Sequence, residues 1–452
     1  MPRFARRVAI NVVIGLTIEA ALILGHETRF GTTLETVSLD WMIRMYSGTS
    51  PVADRPVLPF TIIDIDETTY RAWGEPVLLP RDRLRGLIEF SDARDPALIV
   101  VDIDLSRPTD AADGRLLEYL RARDRRPDGG RALAPLVFVR TFQEPIAGDP
   151  VRRARASILD AVRDVPGLHI GAPLFELDPD FVVRRWRLWE ATCGNAHGDV
   201  VLSVQLLTAG LGVSGGAGPS PARSPSPAVG AYACRHRVSR SVGHAASPPE
   251  LRLGDVTVHV NGTGLERRIL YTVPWRLKPN QARPPMRRGD RALPLVIELS
   301  ASLVVARTQE VADEAVHGRV VIIGGSYRDG RDIYATPLGA MPGTFVLLNA
   351  VHSLLQYGEL RPPPTWAKLL VFVAVLVLTS VIFAVLHSLF ALLVVAVVIG
   401  VGIVPLSFWL FRAGVWLEFW LPLAAVLAHH VWSEFEHATH GPTRAGHAGH
   451  AR

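Results

Sequence analysis

Three apolar segments, residues 369–386, 389–411 and 415–432, crowd the last fifth of this 452-residue chain. Each approaches the roughly twenty apolar residues that a bilayer core requires of a helix. A fourth segment of the same kind, residues 8–25 (VAINVVIGLTIEAALILG), opens the chain behind Arg3, Arg6 and Arg7. Basic residues flanking a span stay in the cytoplasm, so the amino terminus is expected inside. Leu24-Gly25-His26-Glu27 lacks the small-residue pattern of a cleavable leader, which favours a retained anchor.

Counting crossings from there divides the chain into four parts. Residues 1–25 form a cytoplasmic start and first membrane helix, 26–365 an extracytoplasmic domain, 366–432 three membrane helices, and 433–452 a cytoplasmic tail. The tail carries His437, His440, His447 and His450 among Gly and Ala, a composition that suits solvated disorder. On this reading no kinase, cyclase or other effector domain follows the polar middle. Glu19 falls inside the first span, where a carboxylate is costly and turns toward the bundle interior.

Inside the extracytoplasmic stretch the pattern changes from continuous apolar runs to alternating elements. Residues 32–46 carry Leu34, Val37, Trp41 and Met45 at helical spacing and predict a helix leading away from the membrane. Short runs rich in branched residues at 57–65, 97–105, 134–140 and 319–324 predict buried strands. Amphipathic segments at 81–92, 113–122 and 344–357 predict the helices between them. Strand, helix, strand in that order is a crossover unit, so the expected fold is α/β, a mixed sheet with flanking helices. Residues 251–260 and 268–273 read as a subsidiary β element. A glycine, serine and proline tract within residues 211–250 reads as a disordered insertion.

Charge excludes one class of partner. The formal net charge is +5, but the arginines are dispersed and Lys278 and Lys368 are the sole lysines. No compact basic face for nucleic acid results. The two cysteines, Cys193 and Cys234, both fall in the external stretch. An oxidising compartment would let them pair. Their neighbours His197 and His236 offer zinc ligation as another fate, and free thiols are the third.

Acidic residues close the predicted strands. Asp64 and Asp66 end one strand, Asp102 and Asp104 end the strand expected beside it in the sheet, and Asp329 and Asp332 follow the late one. Ligands of open α/β sheets bind beyond the carboxyl ends of strands, so these acids are the candidate ligand-binding residues, with Arg81 as the expected charge partner. The alternative is that they cap helices and hold turns. Asp64-Ile65-Asp66-Glu67-Thr68 also matches the DxDxT signature of haloacid-dehalogenase-like phosphatases. That chemistry would add magnesium and a phosphate-holding lysine, for which only Lys278 and Lys368 exist.

Several stretches in order across residues 40–360 resemble the type-2 CHASE domain, a sensory module found beside bacterial kinases and nucleotide cyclases. They are Ile62-Ile63-Asp64-Ile65-Asp66-Glu67 with Gly74, Pro80 and Arg81; Ile99-Val100-Val101-Asp102-Ile103-Asp104 with Asp110 and Asp113; and Asp178-Pro179-Asp180 before Val183-Arg184-Arg185. The last group is residues 319–325 with Asp332, Thr336-Pro337, Pro342-Gly343 and Asn349-Ala350. Leu79 and Phe181 depart from the pattern, where tryptophan and glycine are usual. One span before the domain and three after are also similar to that family.

The resemblance implies a membrane-anchored extracytoplasmic sensor, not an enzyme. Its expected partners are the lipid bilayer, a small-molecule or periplasmic ligand, a separate signalling effector and a second copy in a homodimer. No cofactor or bound metal is called for. A membrane scaffold and a surface phosphohydrolase are the competing classes.

Overall fold

The computed structural model describes residues 8–9, 12–17, 28–49, 51, 55, 57–109, 111–123, 133–143, 154–192, 199–213, 250–253, 256–259, 267–277, 283–288, 291–306, 312–386, 388–417, 427 and 431. Cys193, Cys234, Glu19, Lys278 and the histidine-bearing tail lie outside these. The chain divides into two compact units, Ile43–Glu359 and the combination of Met1–Met42 with Leu360–Arg452.

The first unit is built on six strands: β1 (Phe60–Ile65), β2 (Leu98–Val101), β3 (Leu136–Val139), β4 (Leu168–Gly171), β5 (Val296–Ser300) and β6 (Val320–Gly325). Their order across the sheet is β5-β1-β6-β2-β3-β4. Every pairing is parallel. This corrects the expected mixed sheet, and the reason is connectivity, because helical crossovers return each strand in the same direction. It also corrects the expectation that β1 and β2 are neighbours. β6 arrives late in the chain and lies between them, pairing Asp64 with Gly324 on one side and Ile323 with Val101 on the other.

One face of the sheet presents Ile63, Ile65, Ile99, Val101, Leu136, Phe138, Val321 and Ile323 to a fully apolar core. It is covered by α3 (Arg81–Asp92), α4 (Ala111–Ala122) and α6 (Ala301–Ala306), with α2 (Glu67–Ala72) beside α6. Leu84, Leu87 and Ile88 of α3 and Leu116 and Leu120 of α4 supply the apolar stripes at helical spacing. The opposite face is covered by α5 (Val204–Val213) and α7 (Gly343–Tyr357), which pack on each other. α7 is buried along its whole length, and its polar side chains Thr344, Asn349, His352, Ser353 and Gln356 are buried with it.

The expected strand at 268–273 is not one. It is a buried segment whose peptide groups are held by side chains of α7: Asn349 Oδ1 accepts from Thr272 and Val273 N–H, its Nδ2 donates to Val273 O, and Ser353 Oγ accepts from Leu270 N–H. A side-chain amide here does what a neighbouring strand would do. Glu250–Leu253 and Val256–His259 do pair as an antiparallel hairpin. α5 extends to Val213, past the start of the tract expected to be disordered, and residues 214–249 lie outside the described set.

In the other unit, two helices among the described residues are long and apolar enough to cross a membrane, Thr365–Val385 and Phe390–Arg412. The first is α8. The second comprises α9 (Ser388–Val398), a π-helical turn at Ile399–Ile403 and α10 (Val404–Arg412). Pro405 lacks the N–H that would close the regular turn there, a common cause of such a bulge. Of the expected first span, only residues 8–9 and 12–17 are described, and they are helical. A side chain at Gly15 would overlap Leu376 of α8, so the glycine permits close helix approach. The expected span at 415–432 does not begin as a helix. Val415 bridges to Arg361, and Trp416 N–H donates to Arg361 O. The four-helix anchoring thus stands at two membrane-length helices among the described residues.

α1 (Arg29–Tyr46) forms where helical spacing predicted it, but the predicted stripe is its exposed side. Val37, Trp41 and Met45 are exposed, whereas Leu39, Met42, Ile43 and Tyr46 are buried.

Candidate functional site

The connections leaving β1 and β2 run over the α3/α4 face, while the one leaving β6 turns to α7 on the opposite face. Neighbouring strands whose connections part in this way open a crevice at their carboxyl ends. Asp64 and Asp102 both stand there on the α7 side, since residues alternate faces along a strand and their neighbours Ile63, Ile65 and Val101 point into the other core. Between them lies Gly324, paired with Asp64 in register, whose missing Cβ would meet Asp102 Cβ at 3.3 Å and overlap Thr344 Cγ2 of α7. The row therefore reads Asp, Gly, Asp over three adjacent strands. Two strand spacings separate the carboxylates by roughly 10 Å.

Asp64 Oδ2 accepts from Ser326 Oγ at 2.6 Å, but Oδ1 is buried and makes no hydrogen bond. Burial is the main reason its pKa rises to about 6; Asp66 and Glu298 add repulsion and the Ser326 hydroxyl opposes the rise. Burial raises both Asp102 and Asp332 above the usual carboxylate range, and repulsion from Asp332 adds to the rise at Asp102. Asp332 is steadied at the head of α7, accepting from the Tyr334 hydroxyl and from Gly343 N–H. A side chain at Gly343 would collide with that carboxylate, which explains glycine at the first position of the helix.

The remaining predicted residues are engaged elsewhere. Asp66 caps α2, accepting from Thr69 N–H at 2.7 Å. Asp104 holds its own loop through Ser106 N–H at 2.8 Å and Ser106 Oγ at 2.9 Å. Asp329 is exposed on a turn and takes the Tyr70 hydroxyl, beside the stacked rings of Tyr70 and Tyr327. Arg81, expected as the partner of the strand-end acids, is buried against Asp113 at 3.0 Å and donates to Leu79 O and Arg107 O. The cation of choice for the mouth is thus committed to the base of α3 and α4. Lys368, one of the two lysines a phosphatase could use, belongs to α8 in the other unit.

Ser326, Tyr334, Gly324 and Thr344 were not singled out as site residues from sequence. Gly324 was visible only as part of an apolar strand, and its placement depends on β6 entering the sheet between β1 and β2.

A second charged cluster lies on the hairpin Phe175–Leu177/Val183–Trp186. Arg184 donates to Asp178 at 3.0 Å and to both oxygens of Asp180 at 2.7 Å, and Arg268 and Arg185 approach Asp178 at 3.8 and 3.5 Å. Phe181, in the turn between them, adopts φ 62° and is 76% exposed. The left-handed region costs a residue with a Cβ about 1 kcal/mol, which glycine avoids. That is a physical reason for the glycine usual at this point of the related pattern.

Among the described residues no group of three or more histidine, cysteine or acidic side chains is arranged to hold a metal. No curated protein and no solved structure matches this chain. The CHASE2 domain family model matches residues 13–384, which takes in the parallel sheet, both charged clusters and α8. The chain therefore belongs to the CHASE2 domain family, extracellular sensory domains of signalling proteins.

Proposed function

We propose that residues 26–365 are the extracytoplasmic sensor of a membrane-anchored receptor. Its ligand mouth is the crevice at the ends of β1, β6 and β2, and its ligand is a small molecule carrying positive charge. The observation that carries this is the Asp64–Gly324–Asp102 row with Asp332 beside it. Asp64 Oδ1 makes no hydrogen bond, Asp332 repels Asp102, and among the described residues no arginine neutralises the three carboxylates. A cation entering the mouth would favour their ionised forms and would be held in proportion.

The same geometry suggests how binding leaves the site. Thr344 and Asp332 meet the mouth at the head of α7, and the chain passes from the end of α7 at Tyr357 to the start of α8 at Thr365. A ligand that prefers one setting of α7 would bias the membrane helices only by its differential affinity for the two settings. The signal is then read by a separate effector.

The test is a thermal-shift screen of the full chain in lipid nanodiscs against small amines and other metabolites. A cationic compound should raise Tm in the parent protein, because ligands of the folded state stabilise it. The shift should vanish in Asp64→Asn and Asp102→Asn. A shift that survives both substitutions would move the ligand elsewhere. A periplasmic reporter inserted near Val183 checks the geography, and activity only of a cytosolic reporter there would end the receptor reading.

A further inference from the structure

α1 is apolar on two opposite sides. Leu39, Met42, Ile43 and Tyr46 are buried, while Val37 and Met45 are each 59% exposed and Trp41, between them, is 40% exposed. A helix stripe of that size is not left to water without reason. Its surroundings say what covers it. Trp41 meets Phe408 of α10 edge-on, ring centroids 5.9 Å apart. Phe408 lies four residues before Arg412, where the apolar helix ends.

The start of α8 is at the same end, because Arg361 N–H donates to Gly414 O and Trp416 N–H to Arg361 O, both at 2.8 Å. Trp366 and Trp409 mark that end and are 71% and 68% exposed. Tryptophans gathered at one end of apolar helices form the belt found at a membrane–water boundary. The stripe on α1 is therefore continuous, through Trp41 and Phe408, with a surface whose natural covering is lipid.

We propose that α1 is an interfacial helix whose Val37/Trp41/Met45 side rests in the headgroup and upper acyl region of the outer leaflet. A second copy fits less well. The stripe advances by four residues at each step over little more than two turns, without the alternating three-and-four spacing a coiled-coil seam requires. A helix lying in the interface needs only apolar area on one side and polar groups at its margin, here Glu35 and Arg44. Placement in the interface differs from a helix simply leading away from the membrane.

The experiment uses the full chain in liposomes with Cys193→Ser and Cys234→Ser and one fluorophore-labelled cysteine. The labelled sites are Val37→Cys and Met45→Cys, with Val373→Cys on α8 and Arg85→Cys on α3 as references, and each variant is accepted only if its thermal transition is unchanged. Nitroxides fixed near the headgroup should quench the labels at 37 and 45 about threefold more than aqueous iodide does. Deep acyl nitroxides should quench the label at 373, and iodide the one at 85. Iodide quenching at 37 and 45 equal to that at 85 overturns the proposal. Self-quenching at 37 and 45 with neither lipid nor iodide access overturns it in favour of a second copy. Loss of deep quenching at 373 removes the membrane reading as well, so the two failures are distinguishable.

Discussion

The aspartates of this domain live in two electrostatic worlds. At buried Asp178 and Asp113, and at exposed Asp180, acids face arginines at hydrogen-bonding distance, so charge is cancelled where it is made. At the mouth, Asp64, Asp102 and Asp332 face serine, tyrosine, backbone and one another. Paired acids hold a hairpin or a helix base in one arrangement. Unpaired ones cost the fold stability and leave a site that a cation can relieve. The contrast separates scaffold from sensor within a single residue type.

Breaking the paired side should have the largest effect. Arg81→Met strands Asp113 and leaves Leu79 O and Arg107 O without their donor, and losing one partner of a buried pair costs about 3–5 kcal/mol. Thermal unfolding in nanodiscs should show a marked fall in Tm, and restoration by Asp113→Leu in the same chain would assign it to the stranded charge.

A middle-sized effect is expected from filling the gap in the mouth. Gly324→Ala drives a methyl into Thr344 Cγ2 and should cost about 1–3 kcal/mol, as overpacking does. Thr344→Ser removes the colliding methyl and should recover most of it. An unchanged Tm in Gly324→Ala would mean that α7 does not rest on the row.

The unpaired side should respond in the opposite sense. Asp64 has its pKa raised from 3.8 to about 6, so its favourable contribution is present below pH 4 and is lost as pH rises through 6. Asp64→Asn should therefore be more stable than the parent at pH 7.5, by on the order of 1–2 kcal/mol after allowance for solvent screening. The advantage should shrink below pH 5. A variant less stable than the parent at neutral pH would show that Asp64 is a paired acid after all.

The parts of the fold legible in the sequence were those with a strong local signal. β1, β2, β3 and β6 are runs of branched apolar residues, and α3, α4 and α7 carry helical periodicity or length. β5 escaped notice because an edge strand tolerates Glu298 at its centre, and β4 because LHIG is too short to register. α5, apolar all round, offers no periodicity and runs into the glycine-rich tract. At the mouth, strand-end position identified Asp64 and Asp102, but not the glycine between them, because strand order is a long-range property. Arg81 misled for the same reason, since its partner Asp113 lies 32 residues away.

The late arrival of β6 has a consequence for how the molecule is made. The central slot of the sheet stays open until more than two hundred further residues have emerged after β2. Until then β1 and β2 display unsatisfied edges to each other and to any passing chain. Closing such a distant contact is slow, and the intermediate is prone to mispairing. Assembly on the far side of a bilayer would make this domain a client of whatever holdase meets it there.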